Sequence, residues 1–120
     1  MTRLLFLKEN LPGSATSAMT LLPYAGTEYY AQRAGRVRGL TAFLTEARTA
    51  GSLTFKVTKN GAAQAALNVA IDGSAVQYDE VFGDADDLTY AAGDRLGLQV
   101  VSSGFTPTTS DAIGILELDE

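Results

Sequence analysis

The sequence predicts an all-β protein, an antiparallel sandwich of seven to nine strands, and three observations carry that expectation. Turn dipeptides recur along the chain: Pro12-Gly13, Ala25-Gly26, Ala34-Gly35, Ala50-Gly51, Asn60-Gly61, Asp72-Gly73, Gly83-Asp84, Gly93-Asp94 and Ser103-Gly104. Most lie about 8–13 residues apart, the spacing of short strands folding back on one another. Between these marks apolar and polar residues alternate, which is the period of a half-buried strand. Twelve glycines in 120 residues supply the positive backbone angles that many tight turns require.

In chain order, residues 3–7, 18–23 and 28–33 are the expected early strands. Residues 1–10 are also a candidate N-terminal arm or edge strand, able to pair with a neighbouring sheet edge. Leu40, Ala42 and Leu44 share a face, although Phe43 on the other face breaks the alternation. The stretch Leu40 to Thr49 also suits a helix by composition, but it lies between turn marks at strand spacing. Leu53, Phe55 and Val57 then alternate with Thr54, Lys56 and Thr58 up to Asn60-Gly61, the strongest short-range hairpin signal. The return strand turns Leu67, Val69 and Ile71 inward. A further strand is expected from Ala75 to Phe82. Leu96, Leu98 and Val100 repeat the pattern, and residues 113–118 close the chain with a phase change at Ile115-Leu116 that suggests a bulge. The whole chain, 1–120, reads as one sandwich domain.

Composition narrows the chemistry. The chain contains no histidine and no cysteine, which excludes disulfides, zinc centres of the Cys/His type and Ser-His-Asp or Cys-His nucleophiles. No enzyme activity and no cofactor are expected. The net charge of −5 is distributed unevenly. Residues 1–60 hold eight Lys and Arg against three acids, whereas residues 61–120 hold Arg95 alone against eleven acids. One molecule could therefore present a positive and a negative face to like subunits or to a charged partner. The small basic cluster Arg33, Arg36 and Arg38 lacks the extent that nucleic-acid binding needs, and a solvated strand edge is the simpler reading. Leu4 to Leu7 is too short an apolar run for a signal peptide or a membrane span. The expectation is synthesis in a cytoplasm with no membrane partner.

Two clusters invite a functional reading. Asp84, Asp86 and Asp87, following Asp79-Glu80, are weak candidate metal ligands because calcium takes several carboxylate oxygens from one loop. Their spacing does not match an EF-hand, and a solvated acidic loop that aids solubility is the favoured reading. Tyr24, Tyr29 and Tyr30, with Arg33, Arg36 and Arg38, are the candidate partner-binding residues, since tyrosine is enriched at contact surfaces. Paired carboxylates without aromatic platforms, in a chain lacking tryptophan, do not suggest glycoside hydrolysis.

Longer stretches carry a resemblance. They are Arg36-Val37-Arg38-Gly39-Leu40, the run Thr49 to Gly61, the run Tyr90 to Val100, and Phe105-Thr106-Pro107-Thr108-Thr109-Ser110-Asp111 before the last strand. Together they look like the small jelly-roll domains of tailed-bacteriophage structural proteins. Ala-Gly-Asp-Arg-Leu at residues 92–96 is also similar to a late strand of the trimeric tumour-necrosis-factor and complement-head sandwiches. The resemblance implies a jelly-roll-like fold and a homotrimer. It further implies a capsid decoration protein on the virion surface that binds the major capsid protein and stabilises the shell. The alternative is a receptor- or carbohydrate-binding module at a tail-fibre tip.

Overall fold

The computed structural model describes residues 2–23, 26–82 and 89–120. Eleven strands are present among them: β1 (Thr2–Lys8), β2 (Thr16–Ala18), β3 (Thr20–Leu22), β4 (Glu28–Tyr30), β5 (Gly35–Leu44) and β6 (Ala50–Lys59), followed by β7 (Ala62–Ile71), β8 (Gln77–Val81), β9 (Thr89–Tyr90), β10 (Arg95–Thr106) and β11 (Ala112–Asp119). They form two antiparallel sheets packed as a sandwich. The first runs β3-β1-β11-β5-β8, with β9 also paired to β5; the second runs β2-β10-β6-β7, with β4 paired to β10.

The strand number exceeds the expected seven to nine because one apolar run is divided between the sheets and the two-residue β9 carries no alternation of its own. Residues 18–23, expected as one strand, lie where the chain changes sheets. Thr16–Ala18 pairs with β10 and Thr20–Leu22 with β1. Met19 between them is fully buried, and its N–H donates to the Leu98 carbonyl. Residues 40–44 are strand, not helix, with Leu40, Ala42 and Leu44 buried between the sheets.

The hairpin lies where Asn60-Gly61 places it. Both turn residues have positive φ, 55° and 85°, and Lys59 pairs directly with Ala62. The return strand contains a feature the alternation alone does not disclose. Thr58 pairs with Ala63 but Lys56 pairs with Asn68, so β7 carries three extra residues at the bulge. An odd insertion exchanges the two faces of a strand. That exchange brings Leu67, Val69 and Ile71 to the core opposite Phe55 and Leu53. The Asn68 amide donates to the Ala65 carbonyl across the bulge at 2.7 Å.

β11 does not bulge at Ile115-Leu116. Its alternation is regular, with Ala112, Gly114, Leu116 and Leu118 inward. The register shift falls instead between Glu117 and Leu118, where Arg38 is the unpaired extra residue of β5. Gly114 looks like a phase error in the sequence because it occupies a core position without a side chain. A Cβ there would stand 2.5 Å from Leu98 Cδ1, so glycine is what lets the sheets approach at that point.

Residues 2–8 are a paired strand and not a free arm: β1 is registered with β11 from Thr2↔Leu118 to Lys8↔Ala112, while β3 covers only Leu5 to Leu7 on its other side and leaves Thr2 to Leu4 at the sheet edge. Nor does the uneven charge of the two halves yield two opposed faces. Strand order interleaves the halves, β1 beside β11 and β5 between β11 and β8. Cations and acids become neighbours, as in Arg3–Glu117 at 3.9 Å and Arg95–Glu28 at 3.3 Å. The core between the sheets is formed by fully buried Phe6, Phe55, Phe105, Leu40, Leu98 and Leu116 among others, each contributing about 1.5–3 kcal/mol.

Candidate functional site

β4 pairs with the start of β10, Tyr29 opposite Leu96 and Tyr30 opposite Arg95. Strand alternation therefore sends the two tyrosines to opposite sides. Tyr29 packs half-buried against the core margin, and Tyr30 is 61% exposed. β11 delivers Glu120 to the same end of the sandwich. The Tyr29 hydroxyl donates to Glu120 Oε1 at 2.9 Å, a bond across 91 positions of chain. Thr2, Tyr29, Gln32, Arg33 and Glu120 line an open depression of about 270 Å3 there. Burial, followed by the bond to and the charge of Glu120, raises the Tyr29 pKa; the Arg33 charge opposes that rise. The phenol stays neutral and remains a donor.

Tyr90 stands behind this depression, 95% buried. Its hydroxyl has no hydrogen-bond partner among the described residues. Burial, then the charge of Glu120, raises its pKa well beyond the ordinary tyrosine value. Gly35 allows the crowding: a Cβ there would fall 2.6 Å from the Asp119 carbonyl oxygen, 2.7 Å from the Tyr90 hydroxyl and 2.9 Å from Glu120 Cβ. The lining thus includes a guanidinium, a side-chain amide, a carboxylate and a phenol. Such a set can hold a polyhydroxylated ligand by paired hydrogen bonds.

The sequence-predicted residues are only partly brought together. Tyr29 and Arg33 share the depression. Arg36 lies on β5 in register with Asp119 and Thr89, and Arg38 lines a separate dent of about 350 Å3 with Asp79, Glu80, Val81 and Glu117. The three arginines are therefore not one patch. β5 is also an interior strand, so the solvated-edge reading fails for Arg36 and Arg38. Tyr24, Asp84, Asp86 and Asp87 lie outside the described residues. Among the described residues no group of three acids could hold a metal. Gln32, Thr2 and Glu120 carry no local signal in the sequence; Glu120 meets Tyr29 through the place of β11 in the first sheet, of β4 beside β10 in the second, and the packing of the two sheets.

One stretch behind the resemblance has a structural explanation. Asn60 donates from its amide to Asp94 Oδ1 and accepts from the Arg95 N–H, while Asp94 Oδ2 accepts from the Ala91 N–H. Lys59-Asn60-Gly61 and Ala92-Gly93-Asp94-Arg95 are thus two turns tied to each other. The backbone bond from Ala91 comes first, and the Asn60 amide second, in holding the Asp94 carboxyl below its usual range.

No protein-family model and no curated protein matches the chain. Among solved structures it is similar to the carbohydrate-binding module CBM36 in complex with calcium and xylotriose, at 12% identity, covering 99% of this chain and 100% of that one, with a TM-score of 0.50. At that identity the likeness concerns architecture. The chain is a small all-β, jelly-roll-like sandwich resembling a carbohydrate-binding module.

Proposed function

We propose that the protein is a non-catalytic carbohydrate-binding module whose ligand enters the depression formed by Tyr29, Gln32, Arg33, Glu120 and Thr2. The observation that carries this reading is the convergence of planar donors and acceptors on one open depression beside a tyrosine ring. Its volume lies just below the roughly 300–1,000 Å3 of ligand clefts, which suits a few sugar units or a chain end. The shared architecture with a module that binds xylotriose supports the same class. A glycan array followed by calorimetry, with and without calcium, tests it. Arg33→Ala and Gln32→Ala should each weaken a positive glycan about tenfold or more. Lys56→Ala, on the other sheet, should bind as wild type. An array without a hit, or full binding by Arg33→Ala, would refute the assignment.

A second reading, a bacteriophage virion protein that decorates the capsid by binding the major capsid protein, draws on the strand-and-turn resemblance. Co-sedimentation with capsids lacking the protein would distinguish it.

A further inference from the structure

The two sheets differ on the faces they turn away from the core. On the second, the outward positions of β6 and β10 are Thr54, Lys56, Gln99, Val101 and Ser103, a water-facing mixture. On the first, cross-strand register sets Leu22, Leu5 and Ile115 in one row and Leu7, Ile113 and Phe43 in the next. These side chains point outward, because the alternate residues Leu4, Phe6, Ala42, Gly114 and Leu116 occupy the core. Leu5 is 41% exposed and Leu22 37%, while Leu7, Phe43, Ile113 and Ile115 beside them are half-buried. Single exposed leucines are ordinary, but six large apolar side chains in adjoining rows form a contiguous patch, which marks an interaction surface.

The margin of this patch indicates what covers it. Arg3, Arg36 and Arg38 stand there with Asp79, Glu117 and Asp119, three cations among three carboxylates, in a chain of net charge −5. A strongly charged partner calls for a margin of one sign. A symmetric contact between copies sets the same surface against itself, so each cation needs a carboxylate elsewhere on that face. Five strands about 4.8 Å apart, along a seven-residue β1 at about 3.3 Å per residue, give a footprint on the order of 20 × 20 Å before side-chain relief. A standard interface takes about 800 Å2 of accessible surface from each partner. Apolar centre and charged margin are both needed to approach that size, which implies a reversible association.

We propose that the outer face of β3-β1-β11-β5-β8 is the contact surface between copies of this chain. The contact does not depend on the sugar-binding reading. Light scattering after size exclusion, with sedimentation velocity over a wide concentration range, tests it. The wild-type mass should rise with concentration to twice that of the 12.6 kDa chain. Leu5→Lys combined with Ile115→Lys should weaken association at least about tenfold and leave a single-chain mass. Lys56→Glu on the other sheet should leave the wild-type mass. If circular dichroism shows the lysine variant unfolded, Leu5→Thr with Leu22→Ser is the milder pair to measure. A wild type of single-chain mass at every concentration, folded face variants that keep the wild-type mass, or dissociation by Lys56→Glu would each overturn the proposal.

Discussion

Gly35 links the fold to the candidate site, and Gly35→Ala tests that link. The added Cβ would lie 2.6 Å from the Asp119 carbonyl oxygen, against about 3.5 Å for an ordinary contact. Something must therefore move by close to an ångström. The Asp119 backbone is held in register with Arg36, and the Tyr90 ring, whose hydroxyl would be 2.7 Å away, is buried in the core. The least constrained response is outward movement of residues 119–120, which breaks the Tyr29–Glu120 hydrogen bond. Overpacking of this kind costs about 1–3 kcal/mol. The lost hydrogen bond, on a half-buried group, adds about 0.5–1.5 kcal/mol. A total of about 1.5–4.5 kcal/mol corresponds to a melting temperature lowered by roughly 6–18 °C for a chain of this length. Thermal unfolding followed by circular dichroism measures it, with urea titration to check that the slope is unchanged. Gly26→Ala is the control, since no atom lies within 4 Å of its added Cβ. If Gly35→Ala unfolds within about 0.5 kcal/mol of wild type, the crowding at Asp119 and Glu120 does not constrain the fold.

Ser110 is fully buried, and its hydroxyl donates to the Glu46 carbonyl at 2.8 Å and accepts from the Glu46 N–H at 3.1 Å. Ser110→Ala leaves both backbone groups unpaired and should cost about 1–3 kcal/mol by urea denaturation; a loss below about 0.5 kcal/mol would contradict that pairing. The raised pKa values of Tyr90 and Tyr29 make stability fall at alkaline pH. Because the folded-state values lie above the unfolded value near 10, the neutral phenols contribute fully below that pH and lose their contribution as the pH rises above it. Tyr90→Phe should be neutral or slightly stabilising at pH near 7, having removed an unpaired buried hydroxyl, and should flatten the alkaline decline. An unchanged alkaline slope in this variant would show that Tyr90 is not the titrating group.

Much of the architecture was legible because alternation and turn chemistry act locally. The inward residues of β6 and β10, and the Asn60-Gly61 turn, follow from period two and from two residues that tolerate positive φ. The division of residues 16–22 was not legible, since both halves are strand and only their partners differ. Gly114 was misleading: a missing side chain at a core position looks in sequence like a change of phase, and in space it is room for Leu98. For the candidate site, Tyr29 and Arg33 were visible as residue types. Glu120 and Gln32 were not, because acids and amides are common and nothing nearby distinguishes these two.

The sequence by itself determined which residues face inward along most strands, where the tightest turn falls, and that no histidine or cysteine chemistry operates. These are properties of short windows, set by side-chain period and backbone stereochemistry. Only the tertiary structure decided strand order, and with it the electrostatics and the site. By placing β1 beside β11, and β5 between β11 and β8, it set cations of the first half beside acids of the second on that sheet. It also decided that the N-terminal segment pairs with the C-terminal strand, that Glu120 meets Tyr29, and that one sheet keeps an apolar outer face. Each of these depends on pairing between residues far apart in the chain, which no local window encodes.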